Sequence, residues 1–352
     1  MKVFGVARAA LFWVLSLGVW TSGPVHAADP EFTLRLHHFS SPRAMDQTRH
    51  MGPWAERVEK ESNGRIKIQI FPSMQLGGQA KDLLQQVRSG IVDLIYFVPG
   101  FAPGAFPVAA ALEMPFIGTG SIVMSQVAME FFEKHLKDKP EFRGLRLVVM
   151  HATDAGLLHT RSAPVRSIED LQGKKIRVAS RQIGLLVRDL GGIPDGMPLP
   201  DVYEALARGR VDGMMIPWAI TRPFRLYEVT DYHTERPMFS TMLLTLMNQR
   251  SYEKLPPDLR KIIDANSGME YARKLGVIWE EEAQIARKKA LEERGEIVQL
   301  SDEEFARWQA KAAPIHQNWV KEMNARGLAG DKMFADLNAM VRKYVEKEGA
   351  RP

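Results

Sequence analysis

Among the residues able to do chemistry, Arg177 in the segment Lys175-Ile176-Arg177-Val178 carries the most information. The segment alternates as a short strand does. A guanidinium at the mouth of a strand offers a carboxylate two parallel N–H donors, a fork that lysine lacks. The competing reading is a surface arginine paired with a nearby acid such as Asp170. Catalytic constellations are weaker. Asp154, His159 and Ser162 are close in sequence, but no strained nucleophile elbow accompanies them. His37 and His38 are adjacent, so a strand sends them to opposite faces, a poor geometry for one metal. Gly191-Gly192 reads as a helix stop rather than a phosphate cradle. The chain has no cysteine, which excludes thiolate nucleophiles, cysteine metal sites and lipidation at cysteine. The residues therefore point to binding rather than catalysis, with no cofactor and no metal.

Aromatic and soft side chains cluster where a ligand could rest. Trp218 follows Met214-Met215-Ile216-Pro217 and is either core or a wall that stacks on a ligand. If that run is a strand, only one of Met214 and Met215 faces a cleft, and Met215 is the candidate. Phe39, Phe97 and Phe101 lie near strand ends, where open α/β sheets hold their ligands.

The elements that position these residues read as two α/β halves. Strands at 32–38, 66–71 and 92–98, with helices at 44–62 and 81–89 between them, give a βαβαβ order and predict parallel pairing. A Pro/Gly-rich stretch at 99–107 breaks the pattern, a helix follows at 121–137, and a strand at 145–151 leaves the first half. The second half has strands at 157–160, 175–178 and 211–216 with helices at 182–190 and 200–207. An apolar strand at 240–248 returns to the first half, and one long helix is expected over 256–294. Its charged runs at 280–282 and 287–289 read as a solvated face. Ser301 with Glu304 has the form of a capping box.

Residues 161–218 resemble the second-domain signature of the solute-binding proteins of TRAP transporters (tripartite ATP-independent periplasmic carriers), the DctP family, and the likeness extends over nearly all of the mature chain. The resemblance implies a two-lobed, type II-like periplasmic binding protein. Each lobe would be a mostly parallel sheet flanked by helices, and a long helix would span both. Lobe I is expected over residues 28–152 plus 240–282, and lobe II with the C-terminal helices over 153–239 plus 283–352. The resemblance also implies an organic-acid ligand, a salt bridge from Arg177 to its carboxylate, and small and large integral membrane subunits as partners. A ligand-sensing module for a membrane kinase is the alternative.

Set against the sialic-acid-binding members of that family, the chain has lost polar groups. A second arginine falls on Leu157, an asparagine after the Val-Asp-Gly turn on Ile216, and an acid at the end of the third strand on Val98. An asparagine after the first strand falls on Phe39, and an aromatic before Val202 becomes Leu199. Sugar hydroxyls in such a pocket would lack partners at about 1–3 kcal/mol each, whereas apolar area buried gains about 25 cal/mol per Å². The expected ligand is thus a hydrophobic or aromatic monocarboxylate or a 2-oxo acid. A C4-dicarboxylate would need a second cation, for which His159 and Arg161 are candidates.

The N-terminus reads as an export signal. Lys2 and Arg8 precede an apolar run from Ala9 to Trp20, and Val25-His26-Ala27 offers a cleavage site after Ala27, which predicts a periplasmic protein. The run is shorter than the roughly 20 residues a spanning helix needs. The formal net charge of +5 falls by two when residues 1–27 are removed. Neither value, without a basic stripe carrying interleaved aromatics, makes a nucleic-acid footprint.

Overall fold

The computed structural model describes Met1 and residues 29–118 and 120–350. The leader expected over residues 1–27, Met1 aside, and its cleavage site lie outside the described residues. Among those described, no helix is long and apolar enough to cross a membrane.

Eleven strands form two sheets among the described residues. They are β1 (Phe32–His38), β2 (Ile66–Phe71), β3 (Leu94–Phe97), β4 (Leu145–Ala152), β5 (Gly156–Thr160), β6 (Lys175–Val178), β7 (Ile193–Gly196), β8 (Gly213–Pro217), β9 (Tyr232–Phe239), β10 (Met242–Asn248) and β11 (Glu296–Val298). The first sheet has the order β2-β1-β3-β10-β4 and the second β11-β9-β5-β8-β6-β7. The parallel pairing expected from the βαβαβ order is present at β1 with β2 and β1 with β3, and again at β6 with β7 and β8. The sheets are mixed, because the strands that carry the chain between them enter antiparallel. β10 runs against β3 and β4, and β5 runs against β8 and β9. Each sheet with its covering helices is called a lobe below.

Side-chain periodicity accounts for the elements. In β1 the buried Leu34 and Leu36 alternate with the exposed Thr33 and Arg35. The helix Arg181–Asp189 buries Ile183, Leu186 and Val187 on one stripe and is capped by Ser180, whose hydroxyl accepts from the Ile183 N–H. Ser301 likewise caps the helix Asp302–Ala325. Glu304 does not complete a box; its carboxylate accepts from the backbone of Ile168 (2.7 Å) and from Trp308 Nε1 (3.0 Å).

The expected single helix over 256–294 is two helices, Pro257–Ala265 and Gly268–Glu293. Trp54 Nε1 donates to the Asn266 carbonyl (2.9 Å), Asn266 Nδ2 donates to Glu61 (2.6 Å), and Gly268 turns the chain at φ +83°. Those bonds hold Asn266 outside the helical path, and glycine tolerates the left-handed turn that follows. The long helix Gly268–Glu293 packs on Ser121–Phe131 and β4 of lobe I and on Trp218–Thr221 of lobe II, so it spans both. The last helix, Gly330–Glu348, was expected with lobe II. It packs instead on Ser121–Phe131, where Glu348 receives Arg273 (2.8 Å) and Gln126 (3.0 Å), and Met333, Leu337 and Tyr344 join the lobe I core.

Candidate functional site

A cleft of about 1230 Å³ opens between the lobes. The carboxyl ends of β3 and β6 both end at it, the position where open α/β sheets place ligands. Lobe I contributes Phe39 and the turn Pro99–Phe101, and lobe II contributes Arg177, Leu199 and Phe224. Trp319, from the helix Asp302–Ala325, also lines the cleft; its Nε1 donates to the Pro107 carbonyl (2.9 Å) and ties that helix to the Pro/Gly-rich stretch.

Arg177 is only 4% exposed. Its Nε and Nη2 both donate to the Met197 carbonyl at 3.2 Å, and no carboxylate of the described residues lies within 4.0 Å of it. The acids that could have neutralised it are engaged elsewhere. Asp170 accepts the N–H groups of Arg166 and Ser167. Asp195, in register beside Arg177 on β7, is paired with Arg210 at 3.4 Å. Burial lowers the guanidinium pKa to about 10, so it remains cationic at neutral pH. A buried charge without a counter-ion is costly, and an anion reaching Nη1 would offset that cost.

The facing wall is aromatic. Phe39 and Phe101 meet edge to face at 4.9 Å, and behind them Phe39 stacks on Tyr96 at 5.9 Å and Phe101 meets Phe97 at 6.0 Å. Such stacks favour a further ring at their free edge. Glu113 also lines the cleft; it accepts the Met242 N–H at 2.8 Å, and burial raises its carboxyl to about 7.

The structure brings Arg177, Phe39, Phe101 and Leu199 to the cleft and leaves the other expected site residues out of its lining. β8 lies between β5 and β6 with both faces covered. Met215 packs in the cluster with Trp308, while Met214 and Ile216 join Val202 and Leu226 on the other side. Val98 of lobe I and Leu157 of β5 are buried in one core cluster that runs between the lobes, and Phe97 sits one layer behind Phe101. His159 is fully buried, with Nδ1 2.8 Å from His233 Nδ1 and Nε2 3.1 Å from the Ile216 carbonyl. Trp218 lies 4.7 Å from both imidazoles. Neither His159 nor Arg161 lines the cleft, so neither supplies it with a second cation. Sequence reasoning missed Phe224 and Trp319, and Phe101 aside it treated 99–107 as a break. A Pro/Gly run directly after a parallel strand was the available signal for that wall; nothing in the sequence marked Trp319, which arrives from a distant helix.

Two α/β lobes joined by crossing strands, with a buried cation in the cleft between them, define a two-lobed solute-binding protein. The family described as "Bacterial extracellular solute-binding protein, family 7" (DctP) matches residues 39–322, and the chain belongs to it. A TRAP solute-binding protein from a marine metagenome, specific for aromatic acid ligands and solved with 3-hydroxybenzoate, is 35% identical. It has a TM-score of 0.86, over 90% of this chain and 99% of that one. A TRAP solute-binding protein from Rhodoferax ferrireducens T118, solved with copurified benzoate, is 33% identical, with a TM-score of 0.86 over 90% and 99%. The C4-dicarboxylate-binding periplasmic protein DctP of Rhodobacter capsulatus is 24% identical over 79% of this chain and 83% of its own length.

Proposed function

We propose that this protein is the periplasmic receptor of a TRAP transporter for an aromatic monocarboxylate, a compound of the benzoate or arylacetate type. The observation that carries this reading is the buried Arg177 with no acid beside it, facing a cleft walled by Phe39, Phe101 and Leu199. The ligand carboxylate binds the Arg177 fork, and its ring lies against the aromatic wall. The lobes close over it by hinge motion at the crossing strands, and the loaded form delivers it to the membrane subunits. Ligands of the two similar structures, 3-hydroxybenzoate and benzoate, support the same class.

Calorimetric titration with benzoate, 3-hydroxybenzoate and succinate tests it. The aromatic acids should bind, and Arg177→Ala should weaken them at least about tenfold, the loss of one charge-assisted pair. Preferential binding of succinate would replace the aromatic reading with a dicarboxylate one. Unchanged benzoate affinity in Arg177→Ala would remove the arginine from the site.

A further inference from the structure

We infer that Gly100 is the contact that lets the lobes shut over the ligand, an inference that rests on the receptor reading above. Gly100 belongs to the turn Pro99–Phe101 that follows β3 in lobe I, and Ala179 follows β6 in lobe II, two residues beyond Arg177. A Cβ built on Gly100 would stand 2.5 Å from the Ala179 carbonyl oxygen and 3.8 Å from the Ser180 Cα. The obstacle is backbone, which cannot rotate aside as a side chain would. Gly100 is also absent from the residues with positive φ. Its backbone conformation therefore admits any residue, and the requirement for glycine comes from the approach of the other lobe alone. Gly100, Ala179 and Arg177 all line the cleft. The touching backbones thus bring the Phe101 wall over the arginine, and a side chain at 100 would prop the two apart.

This requirement separates closure from folding. In an open receptor the lobes part and a side chain at 100 meets nothing, so Gly100→Ala and Gly100→Val should fold with the thermal midpoint of the unliganded parent. Binding should weaken in graded fashion, with Val losing at least about tenfold in affinity and Ala less. The absence of native cysteine permits a direct measurement of closure. Cysteines introduced at Lys81 and Arg188, exposed positions on opposite sides of the cleft, carry spin labels whose separation is read with benzoate, with succinate and without ligand. The expected result is contraction on binding in the Gly100 protein and none in Gly100→Val. Contraction with succinate alone would sink the aromatic reading while still upholding Gly100, provided Gly100→Val abolishes it. Equal contraction and affinity in Gly100→Val, or no contraction of the Gly100 protein with an acid that it binds, would overturn the inference. Should Gly100→Val fail to fold, Gly100→Ala decides by the same two readings.

Discussion

On the proposed reading, recognition is divided between the charge of Arg177 and the surface of the phenylalanines opposite it. The arginine's Nε and Nη2 are held by one backbone carbonyl, which fixes the plane of the guanidinium before any ligand arrives. A lysine at 177 would keep the charge and lose both the fixed plane and the second donor. Arg177→Lys should therefore retain measurable benzoate binding and lose roughly tenfold in affinity, a partial loss of a bond worth about 1.5–3 kcal/mol. Titration giving wild-type affinity would show that only charge matters. Phe101 should report the other half of the ligand. It meets Phe39 in a T-shaped pair at 4.9 Å, and an aromatic pair adds about 0.5–1.5 kcal/mol beyond area buried. Phe101→Leu should weaken benzoate several-fold, about 2- to 10-fold, yet leave a short aliphatic acid such as 2-oxobutyrate nearly unaffected. Equal losses for both acids would mean that Phe101 serves the fold of the turn rather than the ring.

At the scale of elements, what was legible in the sequence is what local pattern controls. The strand Lys175–Val178 stands where alternation put it, and Arg177 at its end was placed with it. β9 was invisible because Glu235, Arg236 and Pro237 interrupt any alternation, and it is stabilised by neighbours on both sides rather than by its own pattern. The long helix was seen but not its break at Asn266, because the partners that cause it, Trp54 and Glu61, lie more than 200 residues away. The acid run 280–282 shows the same limit. It was read as a solvated face, yet the Glu282 side chain is 8% exposed and bridges the lobes. It accepts from Arg49 of lobe I at 3.1 Å and from Arg222 of lobe II at 2.6 Å. Both arginines keep much of their exposure, so the pairs are worth less than fully buried ones. Glu282→Ala should still lower stability by about 1.5–3 kcal/mol, because it removes two charge-assisted bonds at one acceptor. Urea unfolding that shows a change below about 0.5 kcal/mol would return the run to the solvated reading.

The molecule as a whole buries an unusual set of histidines, and these link its stability to pH. His38 is lowered to about 4, His151 to about 3 and His233 to about 4, and His50 and His159 lie well below the usual range, in every case chiefly through burial. Each is neutral in the fold and takes a proton only on unfolding. Its contribution is complete above about 6.5 and is lost as pH falls toward the folded value. Buried carboxyls act in the opposite sense. Glu113, raised to about 7, holds a proton in the fold that the unfolded chain has released, and Asp46, Glu141 and Asp154 are shifted in the same direction by burial. Between about 4 and 6.5 the two sets oppose each other. The histidines are more numerous, so stability should fall on acidification through that window. One residue isolates the effect. His151 is fully buried among His50 (5.3 Å), Tyr96 (6.0 Å) and Trp279 (6.2 Å), a setting that accepts an apolar ring of similar size. His151→Phe removes one proton of difference between the unfolded and folded states and leaves every carboxyl in place. Between pH about 4 and 5.5 the slope of unfolding free energy against pH should therefore drop by about 1.4 kcal/mol per unit, while the stability of the variant above pH 7 carries only its packing change. Parallel slopes for parent and variant in urea titrations across that range would show that His151 is protonated in the fold and that its burial does not govern its charge.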